Sequence, residues 1–347
     1  MPPSAHLILF RVTGLSAVRD IKCFLITAKC SGRSCLPYME VYMKIVIFDG
    51  HTVNPGDLDW NALENICETV VYDATEPEQF DERLGDAEIL MTSKCHITKE
   101  FMAQHPNLKY IGSLATGYNN IDVAGARELG IAVTNIPAYS TDAVAQHTFS
   151  LMLELCNDVG GHNRSVQNGD WTRCEYFSYW NQPIMLLKGK SLGIVGYGQI
   201  GSRVAEIAKA FGMEVNIYSR DREAAVKSDF VNLHCPLTTE NAGFVNESFI
   251  NEMKDGAILI NTARGGLVDE PALAAALKSG KLAAAAVDVV SAEPIAADNP
   301  LLGLDNCIIT PHLAWAPKEM RRIITDTLAA ILLSWLDGGT LNRVDLL

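Results

Sequence analysis

Gly193-Ile-Val-Gly-Tyr-Gly-Gln-Ile-Gly-Ser202 is the stretch whose reading decides the fold. The apolar run Ser191 to Val195 before it reads as a buried strand. Gly196, Gly198 and Gly201 then fall in the spacing G-x-G-x-x-G. Beyond them Ile200, Val204, Ile207, Ala208 and Phe211 recur at helical intervals. A strand that runs through three glycines into a helix is the dinucleotide-binding turn. The first glycine permits the tight turn, the second lets the backbone approach a pyrophosphate, and the third lets helix and strand pack closely. The helix that opens there points free N–H groups and its positive dipole end at an anion.

The chain has 347 residues, enough for two domains, and a net charge of −13. That charge argues against nucleic acid or an anionic membrane as partner, because both require a basic footprint. No apolar run approaches the ~18 residues of a membrane span. The nine cysteines are odd in number and show no paired metal spacing, so no metal is expected. They read as free thiols of a reducing, cytoplasmic compartment.

Residues 1–42 differ from the rest, with five basic and two acidic residues, three cysteines and no sustained period. A transit peptide and a short secretory segment at Leu7 to Phe10 are both open readings. The favoured one is an upstream extension, poorly ordered, with Met43 opening the folded protein.

From Met43 apolar runs at Ile45–Phe48, Val70–Tyr72, Ile89–Met91, Tyr110–Ile111 and Ile131–Val133 alternate with helical segments such as 58–66 and 123–129. Strands alternating with helices predict a parallel sheet covered on both faces. A long amphipathic helix follows, capped by Thr141 or Asp142 and ended by Gly160-Gly161, and 164–190 reads mostly as loop. The second α/β unit has further strands expected at 215–218, 230–234, 257–261, 284–290 and 307–310. Asp269 or Glu270 with Pro271 starts a helix that Gly280 stops. The last helix, 317–336, is expected to return onto the first unit. The crossover from Ser219 to Asp229 is only eleven residues, where about a dozen or more are usual. One short helix near 223–227 and a thin wall over adenosine are expected there.

Four chemistry-bearing residues emerge at carboxyl ends of strands in the second unit, where open α/β sheets bind ligands. Arg264, in Asn261-Thr-Ala-Arg-Gly-Gly, offers a guanidinium fork to an anion. Asp288 is either a turn cap or an amide ligand. Glu293 precedes Pro294, and His312 follows Pro311. Together they form the set that hydride transfer at a hydroxyl requires. A histidine moves the hydroxyl proton, a carboxylate orients it, and an arginine holds the substrate's carboxylate and polarises its carbonyl. There is no G-x-S-x-G, no H-E-x-x-H and no lysine placed after the glycines for a phosphate-binding loop.

The chain resembles the D-2-hydroxyacid dehydrogenase family. The likeness rests on the glycine turn 196–201, Asn261-Thr-Ala-Arg-Gly-Gly-Leu, Val287-Asp-Val-Val-Ser-Ala-Glu-Pro and Thr310-Pro-His-Leu-Ala. Leu114-Ala-Thr-Gly-Tyr-Asn-Asn-Ile-Asp, Pro137-Ala-Tyr-Ser-Thr and His312-Leu-Ala-Trp-Ala are most similar to its glycerate dehydrogenase (hydroxypyruvate reductase) branch. The resemblance implies an α/β protein of two domains. Residues 143–314 would be a Rossmann-type NAD(P)-binding domain, and 43–142 with 315–347 a discontinuous, flavodoxin-like substrate domain. It implies His312 as acid/base with Glu293 as partner, and Arg264 on the substrate. Asp288 would hold the nicotinamide carboxamide. Ala115, Thr116 and Gly117 would offer backbone N–H groups to the substrate carboxylate, with Lys94 beside them. Gln199 and Ile200 would donate to the pyrophosphate, and Thr148, Cys235, Pro236, Ala263 and Ala314 would line the cofactor. It also implies a homodimer acting on a small 2-keto or 2-hydroxy acid, hydroxypyruvate or glyoxylate foremost. Phosphoglycerate, lactate and a nicotinamide-sensing, corepressor-like protein are the alternatives.

Two departures stand out. Where many relatives carry an acidic residue for the ribose 2′-OH, this chain has Ser219 and Arg220. That exchange removes a negative charge and adds a phosphate partner, which favours NADP over NAD. The short segment after Arg220 also removes residues that cover adenosine.

Overall fold

A computed structural model describes residues 43–347 of the chain. The expectations for residues 1–42 lie outside the described residues. Among the described residues no helix is long and apolar enough to cross a membrane.

Two parallel sheets organise the fold. The first holds β1 (Lys44–Ile47), β2 (Glu68–Val71), β3 (Ile89–Thr92), β4 (Tyr110–Ser113) and β5 (Ala132–Thr134), in the order β2-β1-β3-β4-β5. That is the flavodoxin-like order. The second holds β6 (Ser191–Val195), β7 (Glu214–Ile217), β8 (Phe230–Leu233), β9 (Ala257–Asn261), β10 (Leu282–Val287) and β11 (Cys307–Ile309). Their order is β11-β10-β9-β8-β6-β7. This is the doubly wound, Rossmann-type arrangement. With β6 as first strand, no strand among the described residues lies outside the second strand, β7, so β7 is an edge of the described sheet.

The central strands β6, β8 and β9 of the second sheet bury both faces, as parallel strands under helices must. Val231, Leu233 and Leu259 pack into one layer, while Phe230, Ile258 and Ile260 pack into the other. Each fully buried side chain of this kind contributes about 1.5–3 kcal/mol. The helix Arg222–Val226 is all that the short crossover holds, and it packs on β6 and β7. A Cβ at Gly193 would collide with the Ala225 carbonyl, so that close approach requires glycine.

The helix Thr141–Asn157 packs on the second sheet, and its Phe149 ring stacks on Phe211 at 5.4 Å between centroids. The helix Lys318–Leu336 packs on the first. Its Trp335 ring lies 4.9 Å from that of Tyr110 in β4, and Arg321 forms a bidentate pair with Asp57 at 2.6 and 2.8 Å. Val344 joins the first sheet's core, and the Asp345 carboxylate accepts from Val133 N in β5.

Two local expectations fail. The N-cap of the long helix is Ser140, with no side-chain bond, rather than Thr141 or Asp142. That helix stops at Asn157 because Asp158 turns left-handed, φ 44°, and caps the next helix through its carboxylate on Gly161 N. Gly160 and Gly161 therefore lie inside the helix Val159–Gln167; Asp170–Arg173 forms a further short helix, and the rest of 164–190 is mostly loop as expected. Beyond these helices Tyr176, Phe177, Trp180 and Leu186 stand 74%, 90%, 64% and 73% exposed.

Candidate active site

The glycine turn has the shape that a pyrophosphate needs. Gly196 adopts φ 99°, and a Cβ there would strike the backbone of His234 and Cys235. At Gly201 a Cβ would strike the Gly196 carbonyl, whereas at Gly198 it would meet nothing within 4 Å. The first and third glycines are thus demanded by packing, and the second by the space left in front of it. The helix Gln199–Ala210 starts at Gly198 without a side-chain cap, so the N–H groups of Gln199 and Ile200 remain available to an anion. These features fit a dinucleotide. Ser219 and Arg220 lie exposed at the end of β7. Cys235 and Pro236 follow β8 directly beside the turn.

The loops after β9, β10 and β11 converge, because those strands are neighbours in the sheet. A Cβ at Gly265 would collide with the backbone of Val290 and Ser291, so the Arg264 loop is pressed onto the loop that carries Glu293. His312 sits at φ 51°, a left-handed conformation unusual for a non-glycine residue. Asp288 holds it there. Its backbone carbonyl accepts from His312 N at 2.7 Å. Its carboxylate, 1% exposed, accepts from Leu313 N and Ala314 N at 2.9 Å each and from Thr310 Oγ1 at 2.5 Å. The Asp288 carboxylate thus caps the turn that carries His312.

The His312 ring is tethered through Nδ1 to Glu293 Oε2 at 2.6 Å. A carboxylate accepts, so Nδ1 carries the proton and Nε2 is left for chemistry. Lys94 Nζ lies 3.6 Å from the same Glu293 oxygen. Burial opposes ionisation of Glu293, but the His312 hydrogen bond and the positive charges beside it win, and the carboxyl is held below its ordinary range. Arg264 faces the first sheet's loop, and a Cβ on Gly117 would lie 3.0 Å from its Nη2. Among the described residues the N–H groups of Ala115, Thr116 and Gly117 donate to no other protein group, while the Thr116 hydroxyl donates to Ile136 O and fixes the loop.

Ala263 and Ala314 flank these loops, with Ala314 4% exposed. Thr148 is wholly buried, its hydroxyl donating to Val144 O and paired with Thr262 Oγ1 at 3.0 Å. It supports the strand end.

Sequence reasoning missed four supports. His147 Nε2 lies 3.0 Å from Thr310 Oγ1 and 3.4 Å from Asp288 Oδ1. Thr310 gives its one proton to Asp288, so His147 must be the donor to Thr310. Glu270, 7% exposed, accepts from Ser291 N, Ser291 Oγ and Asn299 Nδ2 and fixes the Glu293 loop. Asp49 accepts from Ser93 N and Lys94 N and fixes the Lys94 loop. The Tyr139 phenol, largely buried, has its ionisation suppressed by that burial in spite of the Arg264 charge. Each partner lies far away in sequence, so no spacing announces it. Among the described residues no cluster of metal-ligating groups occurs.

Residues 149–314 match the family model described as D-isomer specific 2-hydroxyacid dehydrogenase, NAD binding domain. A hydroxypyruvate reductase of Blautia hydrogenotrophica is 46% identical over 321 residues, covering 87% of this chain and 100% of its own. The D-lactate dehydrogenase of Aquifex aeolicus, solved with NAD and lactic acid, superposes with a TM-score of 0.74 at 29% identity, covering 87% of this chain and 99% of its own. An NADPH-dependent glyoxylate/hydroxypyruvate reductase of Sinorhizobium meliloti, solved with NADP and malonate, gives a TM-score of 0.74 at 25% identity, covering 87% and 97%.

Proposed function

Because the chain belongs to the D-isomer specific 2-hydroxyacid dehydrogenase family, NAD(P)-dependent oxidoreductases acting on a CH–OH group, we propose that it reduces hydroxypyruvate or glyoxylate to the corresponding hydroxy acid. NAD(P)H, when bound, supplies the hydride. Everything else falls to the chain's own groups. The N–H groups of Ala115, Thr116 and Gly117 bind the substrate carboxylate, with Lys94 beside them. Arg264 bridges carboxylate and carbonyl oxygen and draws charge toward that oxygen. His312 gives a proton from Nε2 to the oxygen, while Glu293 orients the ring and offsets its charge. Asp288 acts through the turn it caps, which sets where His312 stands. The observation that carries this reading is the Nδ1 tether to Glu293 at 2.6 Å, which leaves Nε2 as the working atom.

In this reading residues 43–142 with 315–347 hold the substrate and 143–314 the cofactor. Ser219 and Arg220 favour NADP. The exposed aromatic and aliphatic residues between 176 and 186 are the surface on which a second copy docks, giving a homodimer, since contiguous apolar exposure marks an interface. The six free cysteines among the described residues suit a reducing cytoplasm.

The test is a panel of 2-keto acids with NADPH and NADH. Hydroxypyruvate or glyoxylate should give the highest kcat/KM. A better phosphorylated or branched substrate would overturn the substrate assignment, and no turnover on any member would turn the reading toward a nicotinamide sensor.

A further inference from the structure

Two arginines near the end of β7 meet different fates. Arg222 is committed: Nη1 and Nη2 donate to the Glu252 carboxylate at 2.6 and 3.1 Å, and Nε donates to the Tyr218 hydroxyl at 3.2 Å. Arg220, two residues earlier, makes no ion pair and no side-chain hydrogen bond among the described residues. Its guanidinium carbon lies 5.3 Å from the centroid of the Tyr197 ring. The acid next to it, Asp221, is occupied in capping a helix through Ala224 N. Arg220 is thus a free cation resting on an aromatic face.

Tyr197 is the residue between Gly196 and Gly198, so its ring stands on the anion-binding turn itself. In a doubly wound sheet another strand would lie outside β7, and its connections would flank this cation. Among the described residues no strand occupies that position, and the crossover is short. What remains to set the direction of the Arg220 fork is Tyr197, because a guanidinium stacked on a ring keeps its donors in a fixed plane.

We infer that Tyr197 is a positioning residue that holds Arg220 as the receptor for the 2′-phosphate of an adenosine 2′,5′-bisphosphate group. The inference rests on the NADP reading above and adds the residue that makes Arg220 effective. A mobile arginine would lose rotamer freedom on meeting the phosphate, whereas the stacked one has lost part of it already.

The test is calorimetric titration of the full chain with adenosine 2′,5′-bisphosphate and, as reference, with 5′-AMP. The wild type should bind the bisphosphate at least about tenfold more tightly, the range of a charge-assisted bond. Arg220→Ala should abolish that preference. Tyr197→Ala should reduce it by about two- to fivefold, as loss of an exposed cation–π contact does. Tyr197→Phe should retain it, because the ring is kept. If Tyr197→Ala keeps the full preference while Arg220→Ala loses it, the role of Tyr197 is overturned and the NADP reading stands. If Arg220→Ala keeps the preference, the NADP reading fails and the inference with it.

Discussion

Nδ1 of His312 donates to Oε2 of Glu293 across 2.6 Å, and the two residues reach that contact from loops that follow different strands, β11 and β10. Glutamine at 293 can still accept the bond but carries no charge, so the protonated ring loses its compensation. Glu293→Gln should lower kcat by about 10- to 100-fold, with KM little changed, because the missing interaction is strongest when charge develops. Steady-state kinetics on hydroxypyruvate would show it. A fall confined to KM would contradict the assignment.

His312→Ala removes the proton donor itself. Turnover should drop by about 10²–10⁴. Titration of tryptophan fluorescence with NADPH should show cofactor binding retained, since the proposed role of the ring is toward the substrate oxygen rather than the dinucleotide.

The Asp288 cap should matter to both fold and rate. Asp288→Ala leaves the N–H groups of Leu313 and Ala314 unpaired, one of them buried, and should cost about 2–4 kcal/mol. Activity should fall further than stability predicts, because His312 is then free to leave its left-handed conformation. His147→Ala and Thr310→Val should couple in a double-mutant cycle by about 0.5–2 kcal/mol in urea unfolding. Strict additivity would break the proposed chain of donors.

Gly198 and Gly201 should separate binding from folding. Gly201→Ala forces a methyl into the Gly196 carbonyl and should destabilise the protein outright. Gly198→Ala meets open space at φ −86°, so its melting temperature should stay near wild type. Its affinity for the dinucleotide should fall about tenfold or more, because the methyl occupies the pyrophosphate's path.

Asp229 offers a pH test remote from catalysis. Burial resists its ionisation, but Lys254 and Ser191 bond the carboxylate, and its pKa falls from 3.8 to about 2. A depressed folded-state value means that the contribution is complete above the unfolded value and disappears as pH drops through the folded one. Asp229→Asn should therefore be less stable than wild type by about 1–2 kcal/mol at neutral pH, after discount for solvent screening. The gap should close as pH falls from about 4 toward 2. Urea titrations at several pH values would measure it.

The readable part of this chain was local chemistry. Glycines at 196, 198 and 201 declare themselves by their spacing within six residues, and packing demands the first and third. Arg264, Glu293 and His312 declare themselves because strand ends are visible as the close of apolar runs. The supports were hidden because they are long-range: His147 meets Asp288 across 141 positions, and Asp49 meets Lys94 across 45. The break at Asp158 was hidden for another reason. A paired glycine is the commoner stop signal, yet an aspartate that both turns left-handed and caps the following helix competes with it locally.

The helix Lys318–Leu336 closes the first sheet, with Leu328 beneath Gly112 and Trp335 against Tyr110. A ribosome makes β1 to β5 before the strands of the second sheet, and this helix after them. The nascent chain therefore carries an unfinished amino-terminal lobe while the cofactor lobe is already complete enough to fold. Chaperone demand during synthesis should then track β1 to β5 rather than the strands of the second sheet.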